Sequence, residues 1–237
     1  MDSSVPTILF ANLALAFIPV FAVIVIIWKW DLGYKNSIYA VFRMLIQLLL
    51  IGYFLAYIFK TDRALIVVAV LAVMLFSSSW IALRTMKVSR KILYGKSLLS
   101  ITLGGSFILL LMTQGVLHLQ PWYLPSYVIP LAGMIFANAM NSVSLAGERL
   151  EAEISRDIAF EEARKTAFQA SLIPITNSLF AVGLVSLPGM MTGQILSGVS
   201  PLIAVRYQIM VMCMIFGSAG ISSAIFLVLL KTNYKTS

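Results

Sequence analysis

The sequence predicts an all-α fold: a polytopic membrane bundle of seven transmembrane helices, with the N-terminus outside and the C-terminus in the cytoplasm. Three observations predict it. Apolar residues make up 60% of the 237 positions and charged residues only 11%, whereas a soluble globular chain carries about 25% charged residues. The apolar residues gather into seven runs that meet or approach the roughly 20 residues a helix needs to cross hydrocarbon. All Lys and Arg except Arg43 and Arg206 fall between those runs and favour alternate connections, as the basic excess of cytoplasmic loops requires.

The runs are 8–28, 37–59, 64–83, 98–117, 126–146, 171–188 and 202–230. The first is longer than the apolar region of a cleaved signal and follows Asp2 with no basic residue before it, so it reads as a retained helix. The second carries Arg43 and Gln47 at i,i+4, with Arg43 near enough to the cytoplasmic face to snorkel. Before the fourth run stands Gly95-Lys96-Ser97, but the position a P-loop needs for its first glycine holds Arg90. With no apolar strand ahead of it, the stretch reads as a basic loop rather than a nucleotide site. His118, at the outer end of that run, reads as interfacial.

In the fifth run Asn138, Asn141 and Ser142 share one helical face that Leu145 continues. Polar groups in hydrocarbon need partners, so this face looks either at other helices or at a water-filled path. The seventh run is long for one span, and is either tilted or begins as an interfacial segment after Pro201. Arg206 at its outer end either snorkels or pairs with the preceding loop. Gly217, Ser218, Ala219, Gly220, Ser222 and Ser223 form a close helix-packing face, and Cys213 reads as a small buried hydrophobe.

Orientation follows from the basic residues. Lys29 and Lys35; Arg84, Lys87, Arg90, Lys91 and Lys96; Arg149, Arg156, Arg164 and Lys165; and Lys231 and Lys235 occupy one alternating set of connections, and only Lys60 and Arg63 the other. That asymmetry puts the C-terminus in the cytoplasm and requires an odd number of spans. It also explains the net charge of +8 by topology, with no nucleic-acid partner. No soluble second domain is visible, so residues 1–237 read as one transmembrane domain.

The one substantial polar connection, 148–168, carries Leu150, Ile154 and Ile158 at four-residue spacing with charges between them, and reads as a cytoplasmic amphipathic helix. Six acidic and four basic residues make it net negative, unlike the basic helices that bind anionic lipid. It is either a docking surface for a protein or a solvated extension of its neighbours. None of the nine acidic residues lies in the middle of an apolar run, so the intramembrane relay typical of proton- or cation-coupled carriers is missing. A stand-alone channel or carrier loses support on that ground, and a membrane scaffold or sensor using the acidic helix is a further alternative.

The segment 183–201 is uncharged and combines Pro188 with Gly189, Gly193 and Gly198, which suits a re-entrant piece or an outer cap. Met190 and Met191, with Met210, Met212 and Met214, are either core filler or soft thioether ligands for a metal such as Cu(I).

The runs PLAGMIFANAMNSVSLAGERL (130–150), SLIPITNS (171–178), VGLVSLPGMMTGQILSGVSP (182–201) and AVRYQIMV (204–211) resemble the FetB-type permease family, which comprises bacterial iron-export ABC permeases and plant aluminium-sensitivity proteins. The resemblance extends over most of the chain and is sharpest in LPGMMTGQIL. It implies a permease subunit of a bacterial inner membrane, working as two copies with two of a separate ATPase that binds the ATP, in iron export or relief of metal stress. No cofactor is then held by this chain, and no enzyme activity. Glu151, Ile154, Ile158, Glu161 and Glu162 become the expected ATPase-coupling residues. Asn138, Asn141, Asn177, Pro188, Gly189, Met190, Met191, Gly193, Gln194 and Arg206 become the expected path or motif residues. The stretch from Ile154 to Glu162 lacks the glycine of the family's cytoplasmic turn.

Overall fold

The computed structural model describes residues 8–59 and 63–234, apart from the side chains of Phe10, Ala56, Asn233 and Tyr234. Asp2, Lys60 and Lys235, used above, lie outside the described residues. The described elements are helical, with one isolated bridge between Val182 and Ser186. Six of these helices are long and apolar enough to cross a membrane: Ala11–Lys29, Tyr34–Leu55, Ala64–Ala82, Arg90–Val116, Pro125–Ile154 and Pro201–Thr232. The chain is therefore a polytopic helical membrane protein, with six such spans where the sequence predicted seven. The missing one is the sixth run, 171–188. Its helix stops at Ala181 and begins among charges, leaving an apolar helical part shorter than the roughly 20 residues a span needs.

The backbone separates into two compact units, Met1–Thr61 and Asp62–Ser237. In the first, α1 (Phe10–Leu15) and α2 (Phe17–Lys29) follow each other across Ala16, and α2 packs on α3 (Tyr34–Ile58). The turn between α2 and α3 is closed by two hydrogen bonds, Leu32 N–H to Ile27 O at 3.0 Å and Asp31 N–H to Trp28 O at 3.1 Å. This is the paired closure that ends helices on a left-handed residue, here Asp31 at φ 53°.

The second unit holds α4 (Ala64–Ala82), α5 (Arg90–Leu110), α6 (Pro125–Ile154), α7 (Phe160–Ala181), α8 (Gly189–Leu196) and α9 (Pro201–Tyr234). A single π-helical stretch, Leu111–Val116, extends α5. Lys96 and Ser97 therefore lie on a helix and not in the expected basic loop. The Lys96 ammonium donates to Leu229 O at 2.7 Å and Thr232 Oγ1 at 2.6 Å on α9, while Ser97 is buried and donates to Ser79 O at 3.0 Å. α9 is one unbroken helix from Pro201, which removes the separate interfacial start. At about 1.5 Å per residue α6 is some 45 Å long, more than the roughly 30 Å hydrocarbon layer, so its charged last turns project beyond it.

α6 is the centre of the core, packed by α4, α5, α7 and α9. Apolar surface gains little by leaving lipid for protein, so helices in a bilayer associate where small residues permit close approach. Ser218, Ala219, Ser222 and Ser223 of α9 are buried as that rule expects. Gly104 on α5 faces the backbone of Ser222, and Gly105 faces Phe136 of α6. Cys213, expected inside, is exposed on α9. An apolar helix shows no hydrophobic face that would say which side looks outward.

The segment 148–168 is the largest correction. One helix was expected over 148–168, but α6 ends at Ile154, residues 155–159 form a turn, and α7 starts at Phe160. Asp157 N–H bonds Ile154 O at 3.0 Å and Ile158 N–H bonds Glu153 O at 3.3 Å, with Asp157 left-handed at φ 61°. Asp tolerates that conformation through its short polar side chain, so Asp157 closes the turn without the glycine that would have signalled it. The closure folds Ile158 back onto the same core that half-buries Ile154.

Candidate functional site: an acidic elbow and a methionine-lined cavity

At the elbow, the α6–α7 turn meets the α4–α5 connection and the end of α9. The carboxylate of Glu151 on α6 accepts hydrogen bonds from the backbone N–H groups of Lys87 at 2.8 Å and Val88 at 3.1 Å. α5 has no side-chain cap on its first turn, so this anchor from α6 fixes its entry. Glu153, 8% exposed, pairs with Arg149 at 2.5 Å and with Arg156 at 3.9 Å. Glu161 at the start of α7 accepts from the ammonium of Lys231 on α9 at 2.6 Å and pairs with Arg164 at 2.6 Å.

These contacts sort the five expected coupling residues. Ile154 and Ile158 pack on the core, and Glu151 serves the α4–α5 connection. Only Glu161 and Glu162 are exposed, together with Arg156, Asp157 and Ala159 of the turn.

The Lys231 hydrogen bond, reinforced by the charge of Arg164, holds the Glu161 carboxyl below its ordinary value. A lowered carboxyl stabilises the folded form above the unfolded-chain value, and that contribution is lost as pH falls through the folded one. Spin labels at the start of α7 and the end of α9 are therefore expected to keep their separation at neutral pH and to part on acidification. Glu161→Gln should remove this response and start apart; a distance unchanged by acid and by the substitution would contradict the tie.

The other end of the unit is hollow. A cavity of about 690 Å³ lies between the first turns of α6, α8 and the start of α9, lined by Ser126, Tyr127, Met134, Met190, Gln194, Tyr207 and Met210 among others. A second, of about 310 Å³, shares Met134 and Met190 and adds Asn138, Ser178, Pro188, Gly189, Gln208 and Met212. A third, of about 120 Å³, runs on between α6, α7 and α9 past Asn138, Asn141, Ser142 and Ser178. α8 is held over this space by a left-handed Gly198 at φ 86°, with Val199 N–H on Gln194 O and Gly198 N–H on Ile195 O, both at 3.0 Å.

Of the expected path residues, Asn138, Asn141, Pro188, Gly189, Met190 and Gln194 line these cavities, whereas Asn177, Met191, Gly193 and Arg206 line none of the three. Asn177 and Arg206 are exposed on the outside of α7 and α9. The polar face read from α6 makes both kinds of contact considered for it. Asn138 Nδ2 donates to its own helix at Met134 O, 2.9 Å, and Ser142 Oγ donates across to Ser171 O on α7 at 3.3 Å, while Asn141 opens on the third cavity. Sequence reasoning passed over Met134 and Gln208. Gln208 is a polar residue inside an apolar run, a signal of function in its own right. It is 5% exposed and its Oε1 has no hydrogen-bond donor; Gln194 Oε1 is likewise without one.

The chain is 36% identical over 231 residues to a protein of Escherichia coli named probable iron export permease protein FetB, covering 90% of this chain and 87% of the relative. It is 44% identical over 190 residues to a UPF0014 membrane protein of Synechocystis, 73% of each chain. Protein ALUMINUM SENSITIVE 3 of Arabidopsis thaliana is 33% identical over 228 residues, 89% of this chain and 81% of that one. No solved structure matches the chain at a significant level. The model of the uncharacterised protein family UPF0014 matches residues 10–159 and 154–234, and the chain belongs to that family.

Proposed function

We propose that the chain is the transmembrane permease subunit of an ABC transporter, exporting iron or another metal species across a bacterial inner membrane. In this reading two copies work with two of a separate ATPase, which binds and hydrolyses the ATP. The observation that carries it is connectivity. α6 and α7 meet at the acidic elbow, and the same two helices face each other across the cavities at Asn138, Ser142 and Ser178. A partner that shifts the elbow therefore shifts the cavity walls, since packed helices move as bodies between discrete arrangements. The partner's footprint is the exposed set Arg156, Asp157, Glu161 and Glu162.

Two further facts support the reading. The E. coli relative is named as an iron export permease, and the apolar parts of the described helices hold no carboxylate, so an ion-coupled engine would lack its usual relay. In this reading α7 is the seventh crossing. It runs from the elbow back to the level of Met134 and Asn138, where Ser178 joins their cavity, shielded by α6 and α9 instead of being apolar all round. That restores the odd number of spans, with the N-terminus outside and the C-terminus in the cytoplasm.

Expressed with the ATPase subunit, the chain should co-purify with it, and cellular metal efflux should stop when ATP hydrolysis by that subunit is blocked. Extraction of the chain alone, with efflux that continues in the absence of any ATPase, would end this reading.

A further inference from the structure

We infer that the α4–α5 connection, through Arg84, Lys87, Arg90 and Lys91, binds the headgroups of anionic phospholipids at the edge of the membrane. Residues 64–147 contain no Asp or Glu, so these four cations have no acidic neighbour in sequence. Arg84, Lys87 and Lys91 are exposed and Arg90 is half-buried. Among the described residues none of the four is in an ion pair. The carboxylate that does reach the connection, Glu151, is taken up by the backbone N–H groups of Lys87 and Val88.

The excess of basic residues in cytoplasmic loops does not by itself account for this pattern. That excess counts all cations alike, yet Arg149, Arg156, Arg164 and Lys231 are each paired with Glu153 or Glu161. The positive charge of α6, α7 and α9 is compensated inside the molecule, and that of the connection is left for an anion outside it.

Depth then selects the anion. Trp80 lies in the last turn of α4, at the end of an apolar span, and the Arg90 guanidinium sits over its ring, 5.8 Å from the centroid. Tyr94 packs edge-on against Trp80 with centroids 5.7 Å apart, and its hydroxyl donates to Phe76 O at 3.3 Å. Arg90 is thus held level with the end of a membrane span, beside the exposed Trp80 and Ile92. Trp and Tyr favour the headgroup level of a bilayer, where the anion at hand is a lipid phosphate, and a guanidinium takes phosphate through two parallel hydrogen bonds. A soluble protein matches the water side of the connection, and not a cation seated at the hydrocarbon edge. This lipid contact goes beyond the permease reading and does not rest on it, since it belongs to the chain in a bilayer without any ATPase.

The test uses the full chain reconstituted in vesicles of phosphatidylglycerol and phosphatidylcholine, with Trp28, Trp30 and Trp122 replaced by Phe so that Trp80 alone reports. A brominated lipid quenches the fluorescence of an indole that it touches. Brominated phosphatidylglycerol should quench Trp80 more than brominated phosphatidylcholine at the same mole fraction. Each cation near an anionic surface contributes about fivefold, so Arg90→Gln should lower the preference by about that factor and Arg84→Gln with Lys91→Gln should lower it further. Arg63→Gln, at the other end of α4, should leave it unchanged. Raising salt from about 0.1 M to about 1 M shortens the screening length from about 10 to about 3 Å. It should reduce the preference in the unsubstituted connection, which keeps the contact testable if a substitution disturbs folding or insertion. Equal quenching by the two lipids, a preference untouched by both salt and Arg90→Gln, or an equal loss with Arg63→Gln would each overturn it. So would substitutions that leave the lipid preference intact and instead abolish co-purification with an ATPase, since the cations would then serve a protein.

Discussion

Gly104→Val should abolish the native bundle, and Gly104→Ala should weaken it measurably, whereas Gly95→Ala on the same helix should be neutral or stabilising. A Cβ at Gly104 would collide with Ser222 Oγ and lie 2.9 Å from Ser222 N and 3.1 Å from Ser222 Cα. Two of those atoms are backbone, so no rotamer change relieves the contact and α5 must move away from α9. Overpacking of this kind costs about 1–3 kcal/mol for small additions. A branched side chain adds more, against a total stability of only about 5–15 kcal/mol. At Gly95 nothing lies within 4 Å, so Ala there only removes the helix cost of glycine, about 0.5–1 kcal/mol. Thermal unfolding in detergent should rank the variants Gly95→Ala, wild type, Gly104→Ala, Gly104→Val from most to least stable. Equal stability of Gly104→Val and wild type would mean that α5 and α9 do not approach as described.

That contrast between two glycines on one helix also marks the limit of what the sequence discloses. The bilayer as solvent was legible at once, because composition and the placement of basic residues follow from it directly. Which glycine is crowded was not, since crowding belongs to the neighbouring helix. The same holds for Cys213. An apolar run says that a residue is in the membrane but not whether it faces protein or lipid.

At the elbow the sequence misled for a more specific reason. Leu150, Ile154 and Ile158 keep helical spacing through a turn, because the left-handed Asp157 returns the chain to the core on which both Ile154 and Ile158 pack.

Replacing Glu151 should unfasten the elbow from within and thereby separate its structural part from its docking part. The carboxylate receives two backbone N–H groups of the α4–α5 connection, and hydrogen bonds to a charged group contribute about 1.5–3 kcal/mol each. The site is half exposed, so water recovers part of that, and a net loss of about 2–3 kcal/mol is expected for Glu151→Ala. Glu151→Gln retains one acceptor oxygen and should lose less.

The segment is not held by Glu151 alone, because the buried Met86 plugs against Gly147 of α6. The connection should therefore loosen locally rather than detach. Hydrogen exchange reads this directly: the amides of Lys87 and Val88 should lose protection in Glu151→Ala while those in the middle of α9 keep theirs.

Glu162→Ala provides the counterpart. Its side chain is exposed, so stability and exchange should match wild type while co-purification with the proposed ATPase partner weakens. If Glu151→Ala left the Lys87 and Val88 amides fully protected, α6 would not be the anchor of the α4–α5 connection. A force applied at the elbow would then reach α7 but not α5, and the path from partner to cavity would run through a single helix pair.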